Sequence, residues 1–268
     1  MASAPISEMK TAEDINEDQE RTEEKHISSI KKEDLVQGKQ MVKSKKYRKH
    51  DSTSYPKNAV KVVNKRPNYF VAVQITNPKI YAVAKKIQAG IQKAAVVDFH
   101  KAFVGEEKFH ITIIVMHLSN EEEVKKAAES LEKCVPPILE RTSGQCVVID
   151  FEGLSSFDGG RVLFASLKAT EGLDHLHYIA DEVTNQMRNN GIVSTDRPDK
   201  EFNPHLTLMK CEGELFRKGI RKVEKRLYEH YVNEVFGAQT INSIQLCNMD
   251  KKRADGYYFV EHEVFFNK

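Results

Sequence analysis

One short pattern occurs twice in this 268-residue chain and constrains its fold more than any other feature. Lys108-Phe109-His110-Ile111-Thr112-Ile113-Ile114 and Asn203-Pro204-His205-Leu206-Thr207-Leu208-Met209 both read His-apolar-Thr-apolar. Side chains alternate along a strand, so His110 and Thr112 share one face while Ile111 and Ile113 share the other. The same alternation sets His205 and Thr207 against Leu206 and Leu208. A polar His/Thr face backed by an apolar one suits a strand that lines a cleft. Two such strands, 95 positions apart, predict a two-lobed domain whose halves bring equivalent groups to one cleft. A single His-x-Thr would carry no meaning, because Thr is favoured in strands and His is tolerated there. The competing reading of the repeat is two half-buried structural strands.

The residue set suits phosphodiester cleavage without a metal. Imidazole has an ordinary pKa of about 6.5, so one His can accept a proton from an attacking hydroxyl or water while the other donates one to the leaving oxygen. The two threonine hydroxyls can donate hydrogen bonds to non-bridging phosphate oxygens, holding the group in line as charge develops. No Asp/Glu cluster of the kind that bridges two metal ions is apparent. The phosphate-cradling loops GxGxxG and GxxxxGK[ST] are also missing, and no cofactor is implied.

Charge is segregated along the chain. The total is +2, yet residues 1–34 carry a net −5, residues 35–66 a net +9 and residues 67–268 a net −2. The first 66 residues contain no Phe and only Tyr47 and Tyr55. Such a segment buries too little apolar surface to offset the entropy of ordering, so it is expected to be a disordered tail, acidic and then basic. Within it, Lys43-Ser44-Lys45-Lys46-Tyr47-Arg48-Lys49-His50 is a compact basic cluster of the kind that serves nuclear import or tethers nucleic acid. No apolar run approaches the roughly 18 residues of a membrane span. The acidic start does not resemble a secretory leader. The expectation is an intracellular protein of nucleus and cytoplasm that does not engage a membrane.

From Pro67 onward strand and helix patterns interleave. Tyr69–Ile75 reads as a buried strand ended by Thr76-Asn77-Pro78, with Pro78 opening a helix that carries Ile80, Val83, Ile87 and Ile91. Phe109–Met116 is a second strand. Ser119 with Glu122 resembles a capping box for a helix that Pro136-Pro137 should interrupt. Strands at Cys146–Phe151 and Val162–Leu167 are joined through the turn Asp158-Gly159-Gly160. A helix from Gly172 to Asn189 is capped by Gly191. Pro204–Met209 is a strand, Leu215–Tyr231 a helix, and Thr240–Met249 with Tyr257–Phe266 a closing strand pair. Adjacent strand pairs favour an α+β or mixed α/β domain over a doubly wound parallel sheet.

Other chemistry-bearing residues offer less. His175 and His177 diverge at i, i+2 on a helix and do not form a ligand pair, and no metal site is expected. Cys134, Cys146, Cys211 and Cys247 are widely separated, which argues against a disulfide framework or zinc knuckle, and Cys211 reads as a buried, inert thiol. Asp255-Gly256-Tyr257-Tyr258 could bring a ring to a base, although a turn into a core strand explains it as well. No heptad or exposed apolar stripe stands out, so a monomer is expected.

The paired His-x-Thr strands resemble the 2H phosphoesterase superfamily, which includes RNA ligase/cyclic phosphodiesterase-like proteins. The wider context resembles the central domain of the A-kinase anchoring protein 7 family. The resemblance runs through Pro67-Asn68-Tyr69-Phe70, Ile75-Thr76-Asn77, Phe109–Thr112 with Val115-Met116, Pro204–Thr207 with Met209-Lys210, and Gly256-Tyr257-Tyr258. It implies a bilobal α+β fold over 67–268 with two pseudo-symmetric lobes around a central cleft. It also implies a cleft that binds AMP or CMP, and metal-independent 2′,5′-phosphodiesterase activity on 2′,5′-oligoadenylate or a related short RNA end. By motif position, His110 and His205 are the implied acid/base pair and Thr112 and Thr207 the implied phosphate ligands, with backbone near Leu206 against the nucleotide. The family continues into an amphipathic helix that docks the regulatory subunit of protein kinase A. This chain ends at Phe265-Phe266-Asn267-Lys268, so such docking is not expected of it, and any amphipathic helix it has should be packed within the domain. A nucleotide sensor without turnover, or a kinase-anchoring scaffold, are the alternatives to the enzyme.

Overall fold

The computed structural model describes residues 65–197 and 200–266. The basic cluster at 43–50 and the expected tail, apart from Lys65 and Arg66, lie outside the described residues. Among the described residues, eight strands form two four-stranded sheets whose neighbouring strands are all antiparallel. The first sheet has the order β2 (His110–Met116), β1 (Tyr69–Gln74), β7 (Ser243–Lys252), β8 (Tyr258–Phe265). The second has the order β5 (Leu206–Lys210), β4 (Val162–Leu167), β3 (Val147–Phe157), β6 (Val235–Ile241). β1 is central and covered on both faces, which explains why Tyr69-Phe70-Val71-Ala72-Val73 is apolar without alternation.

Three helices cover the sheets. α1 (Pro78–Ala94) is capped by Asn77, whose Oδ1 accepts from the Lys79 N–H at 2.9 Å. Although α1 follows a strand of the first sheet, it lays Ile80, Ala84, Ile87 and Ile91 against β5 and β6 of the second. α2 (Glu121–Arg141) packs on β7 and β8 and on α3 (Glu171–Asn189). α3 buries Leu176, Ile179, Ala180, Val183 and Met187 against its neighbours, so its amphipathic face is used within the domain, as expected. Its end is a Schellman cap: Gly191 lies at φ +80°, Gly191 N–H reaches the Arg188 carbonyl and Ile192 N–H reaches that of Met187.

Several boundaries differ from the sequence expectation. Pro136 and Pro137 do not interrupt α2, which runs on to Arg141. Leu131, Cys134 and Ile138 are all fully buried on one stripe, and that packing carries the helix past two missing N–H donors. Its cap is one residue later than expected, with Asn120 accepting from the Glu123 N–H. The helix expected over Leu215–Tyr231 is instead the four-residue turn α4 (Glu214–Arg217) and two 3-10 turns, Lys225–Leu227 and Glu229–Tyr231, because Gly219 at φ +79° turns the chain and Val223 N–H then bonds to the Gly160 carbonyl. Thr240–Met249 is two strands, since β6 ends at Ile241 in the second sheet and β7 begins at Ser243 in the first. The strand expected over Pro204–Met209 starts at Leu206, leaving His205 at its threshold.

The two motif strands are edge strands, and both carry the same irregularity. Val71 pairs with Ile114 but Ala72 with Thr112, so Ile113 is an extra residue on β2. Leu163 pairs with Met209 but Phe164 with Thr207, so Leu208 is the extra residue on β5. A bulge sends two successive side chains inward. Ile113 and Ile114 are accordingly 8% and 5% exposed, and Leu208 and Met209 0% and 1%. Each outer edge is covered by the segment that leads into the opposite motif. Val104 N–H bonds to the Leu208 carbonyl of β5 at 2.9 Å, and Thr195 N–H bonds to the Val115 carbonyl of β2 at 3.0 Å. Edge donors and acceptors that would otherwise be unpaired are satisfied in this way.

Candidate active site

β2 and β5 approach each other across the two sheets and bring the four motif residues to one region, with His110, Thr112, His205 and Thr207 all half-buried. Leu206, the fifth expected residue, has its side chain in the core at 0% exposure, so only its backbone can face a ligand.

The two imidazoles are held in the same way. His110 Nδ1 lies 2.7 Å from the Lys108 carbonyl oxygen, and His205 Nδ1 lies 2.8 Å from that of Asn203. A carbonyl oxygen only accepts, so Nδ1 of each ring carries a proton and donates it. In the neutral rings Nε2 is therefore the bare nitrogen. Nε2 of His110 lies 3.1 Å from Thr112 Oγ1, whose hydroxyl donates to it in that state. The bond works because the residue two before each His is turned with its carbonyl toward the ring.

Each ring is also clasped by aromatic side chains. Phe70 and Tyr258 have centroids 5.0 and 5.4 Å from that of His110, the latter edge-on. Phe157 and Phe164, stacked on each other at 4.1 Å, meet His205 edge-on at 4.9 and 5.2 Å. Sequence reading did not single out Phe70, Phe157 or Phe164 as neighbours of the histidines. Tyr257 and Tyr258 divide the two roles considered for them: Tyr257 is 1% exposed in the small core behind the site, and Tyr258 faces His110. Strand alternation after Gly256 carried that signal.

Burial above all, aided by the charges of His205 and Lys252 and opposed by the bond to Lys108, brings the His110 imidazole down to about 4. Burial also lowers His205, with Lys200 acting in the same direction and the Asn203 bond opposing. Lys252 places its Nζ 3.1 Å from the Tyr258 ring centroid, and its own pKa is held down by partial burial and by the Lys108 charge. These cations, crowded around rings kept neutral, make a site that favours an anion.

Other histidines among the described residues have partners of their own. His117 is half-buried and holds the Arg66 carbonyl, His100 pairs with Asp98 and His262 with Glu132. His175 stands 4.0 Å from Glu171. Among the described residues there is no group of three or more His, Cys, Asp or Glu side chains that could hold a metal ion. Burial raises the Cys211 thiol, in keeping with an inert role. Among the described residues no helix is long and apolar enough to cross a membrane.

Two antiparallel sheets each present a His-x-Thr edge strand, and the chain belongs to the AKAP7 2′5′ RNA ligase-like domain family, whose model matches residues 67–266. Human (Homo sapiens) A-kinase anchor protein 7 isoform gamma is 33% identical over 202 residues, which cover 74% of this chain and 57% of that protein. The chain thus spans little more than half the length of that relative. Among solved structures, E. coli LigT complexed with 3′-AMP is similar at 12% identity and a TM-score of 0.48, over 76% of this chain and 100% of that one. TT0787 of Thermus thermophilus is similar at 17% identity and a TM-score of 0.47, over 75% and 99%.

Proposed function

We propose that this chain is a metal-independent 2′,5′-phosphodiesterase acting on 2′,5′-oligoadenylate or a related short RNA end. Family membership supports phosphoesterase chemistry on a nucleotide or RNA. The observation that supports the acid/base roles is the matched tautomer of the two rings, each with Nδ1–H tied to a backbone carbonyl so that Nε2 is the nitrogen able to exchange a proton. His110, whose pKa is the more strongly depressed, is neutral at pH 7 and acts as the base. Its Nε2 takes the proton of the attacking hydroxyl or water as the new O–P bond forms. His205, protonated once a phosphate anion is bound, gives its Nε2 proton to the leaving oxygen as the old P–O bond breaks. Repulsion between two imidazolium ions keeps one ring neutral while the other is charged. Thr112 and Thr207 hold the non-bridging oxygens, and backbone near Leu206 lies against the nucleotide, either AMP or CMP as product or ligand. The quartet supplies both proton transfers, so this scheme calls for no metal.

The test is the purified chain with 2′,5′-linked and 3′,5′-linked triadenylate in excess EDTA, alongside the H110A variant. Cleavage of the 2′,5′ substrate alone, abolished in the variant, is expected. AMP binding without cleavage of either substrate would replace the enzyme with a nucleotide sensor. The kinase anchoring in the human relative's name finds little support among the described residues, because α1, α2 and α3 each bury their apolar face inside the domain. We also infer that the basic cluster at 43–50 directs a nuclear pool beside a cytoplasmic one.

A further inference from the structure

The cleft face of the first sheet carries a hydrogen-bonded polar row that the His/Thr quartet does not use. Phe70, Ala72 and Cys247 line one part of that face. Strand alternation puts Gln74 of β1, Ser243 and Gln245 of β7, and Glu263 of β8 on the same face. Ser243 Oγ donates to Glu263 Oε1 at 2.6 Å, and Gln245 Nε2 donates to the same oxygen at 2.9 Å. Gln245 Nε2 also reaches Gln74 Oε1 at 3.3 Å.

The chemistry fixes the direction of the row. A carboxylate only accepts, so Gln245 must turn its NH2 toward Glu263, and the same NH2 then faces Gln74. Gln74 must answer with its carbonyl oxygen, because two facing amide nitrogens would both be donors. The arrangement leaves Gln245 Oε1 buried without a partner, in a side chain only 4% exposed. Leaving a buried acceptor unpaired is costly, so the orientation is held against that cost. Gln74 lies between Gln245 on one side and β2 on the other, and its register partner on β2 is His110. With its oxygen committed to Gln245, its two N–H groups are the part of the amide left for a ligand on the strand next to His110.

We propose that Gln74 is a phosphate-binding residue, oriented by Gln245 and Glu263, whose amide N–H groups donate to a non-bridging oxygen of the phosphate that sits between His110 and Thr112. The second lobe repeats the placement. Ala165 pairs with Leu206, and one further step along that ladder sets Ser166 of β4 opposite His205. Each lobe therefore puts a neutral donor beside its histidine, on the neighbouring strand. The inference rests on the phosphoesterase reading for the ligand but not for turnover.

The experiment is isothermal calorimetry of the full chain with 5′-AMP and with adenosine, together with steady-state cleavage of 2′,5′-linked triadenylate. Gln74→Glu is nearly isosteric, still accepts from Gln245, and replaces the outward donors by an acceptor. AMP affinity should fall at least about tenfold, as for loss of a hydrogen bond to a charged group, while adenosine affinity changes by less than about twofold. Gln245→Leu, which frees Gln74 to rotate, should give a smaller loss of the same kind. Equal losses for AMP and adenosine would overturn the proposal, as would an unchanged AMP affinity or no AMP binding by the unaltered protein. Should Gln74→Glu fail to fold, the same comparison is made with Gln74→Met. A wild-type chain that cleaves nothing but loses AMP selectively in the variant refutes the enzyme and keeps the proposal. Full cleavage by the variant does the reverse.

Discussion

The Gln88 side-chain amide of α1 donates to the Leu208 carbonyl of β5 at 2.9 Å, and Leu208 is the extra residue of the bulge that follows Thr207. The same amide reaches the Val104 carbonyl at 2.9 Å, so one buried side chain ties a helix, the strap over the strand edge and the irregular point of the motif strand. Gln88→Leu leaves the Val104 carbonyl without that donor and should lower stability by about 1–3 kcal/mol. Urea unfolding followed by circular dichroism reads this directly, and an unchanged midpoint would refute the role assigned to the tie.

Stability should depend on pH through the histidines. The folded-state pKa of His110 is about 4, against about 6.5 in an unfolded chain. Between those values the unfolded chain binds a proton that the folded one refuses, so stability is complete above pH 6.5 and is lost as pH falls toward 4. The difference sets a ceiling of about 3 kcal/mol, reduced by the ring's partial exposure. His205 acts with the same sign. Melting temperatures measured from pH 7 to pH 4 should drop less steeply in H110Q than in the unaltered protein. Parallel curves would show that His110 does not titrate in this window.

Removing either imidazole should abolish proton transfer without unfolding the domain. H110A and H205A are each expected to lose about 10²–10⁴-fold in kcat. Combining them should cost little more than either alone, because the two act as a unit. Additive losses in the double variant would argue for independent contributions.

The basic cluster makes a separate prediction for the whole chain. A fluorescent reporter fused to residues 35–66 should concentrate in the nucleus, and neutralising Lys45, Lys46, Arg48 and Lys49 should disperse it. A reporter spread evenly before any substitution would contradict the import reading.

How the sequence foreshadowed the structure is clearest at the motif strands. Alternation correctly put Ile111 and Leu206 in the core and left His110, Thr112, His205 and Thr207 half-buried. The doublets Ile113-Ile114 and Leu208-Met209 break that alternation, and they are the visible trace of the bulges. The division of Thr240–Met249 was not legible, because Ile241 and Ile244 are both core residues and the apolar pattern does not say which sheet each one enters. The apolar residues from Leu215 to Tyr231 keep near-helical spacing, yet Gly219 and the bond from Val223 to Gly160 make them an irregular cover. The aromatic clasp could not be read locally. Phe157 and Phe164 come to His205 through the pairing of β3, β4 and β5, which no short window contains.

The exchanged edge segments have a consequence for how the domain can come apart. The stretch before His110 closes the strand that bears Thr207, and the stretch before His205 closes the strand that bears Thr112. Neither half of the chain owns a finished edge. A fragment ending between the two sheets would expose an unpaired strand at the place where chemistry is expected, and it would be prone to pair with whatever strand it met. Drawing either strap from its strand would break the bond at Val104 or at Thr195, so each motif strand is held from outside by chain that leads into the other motif.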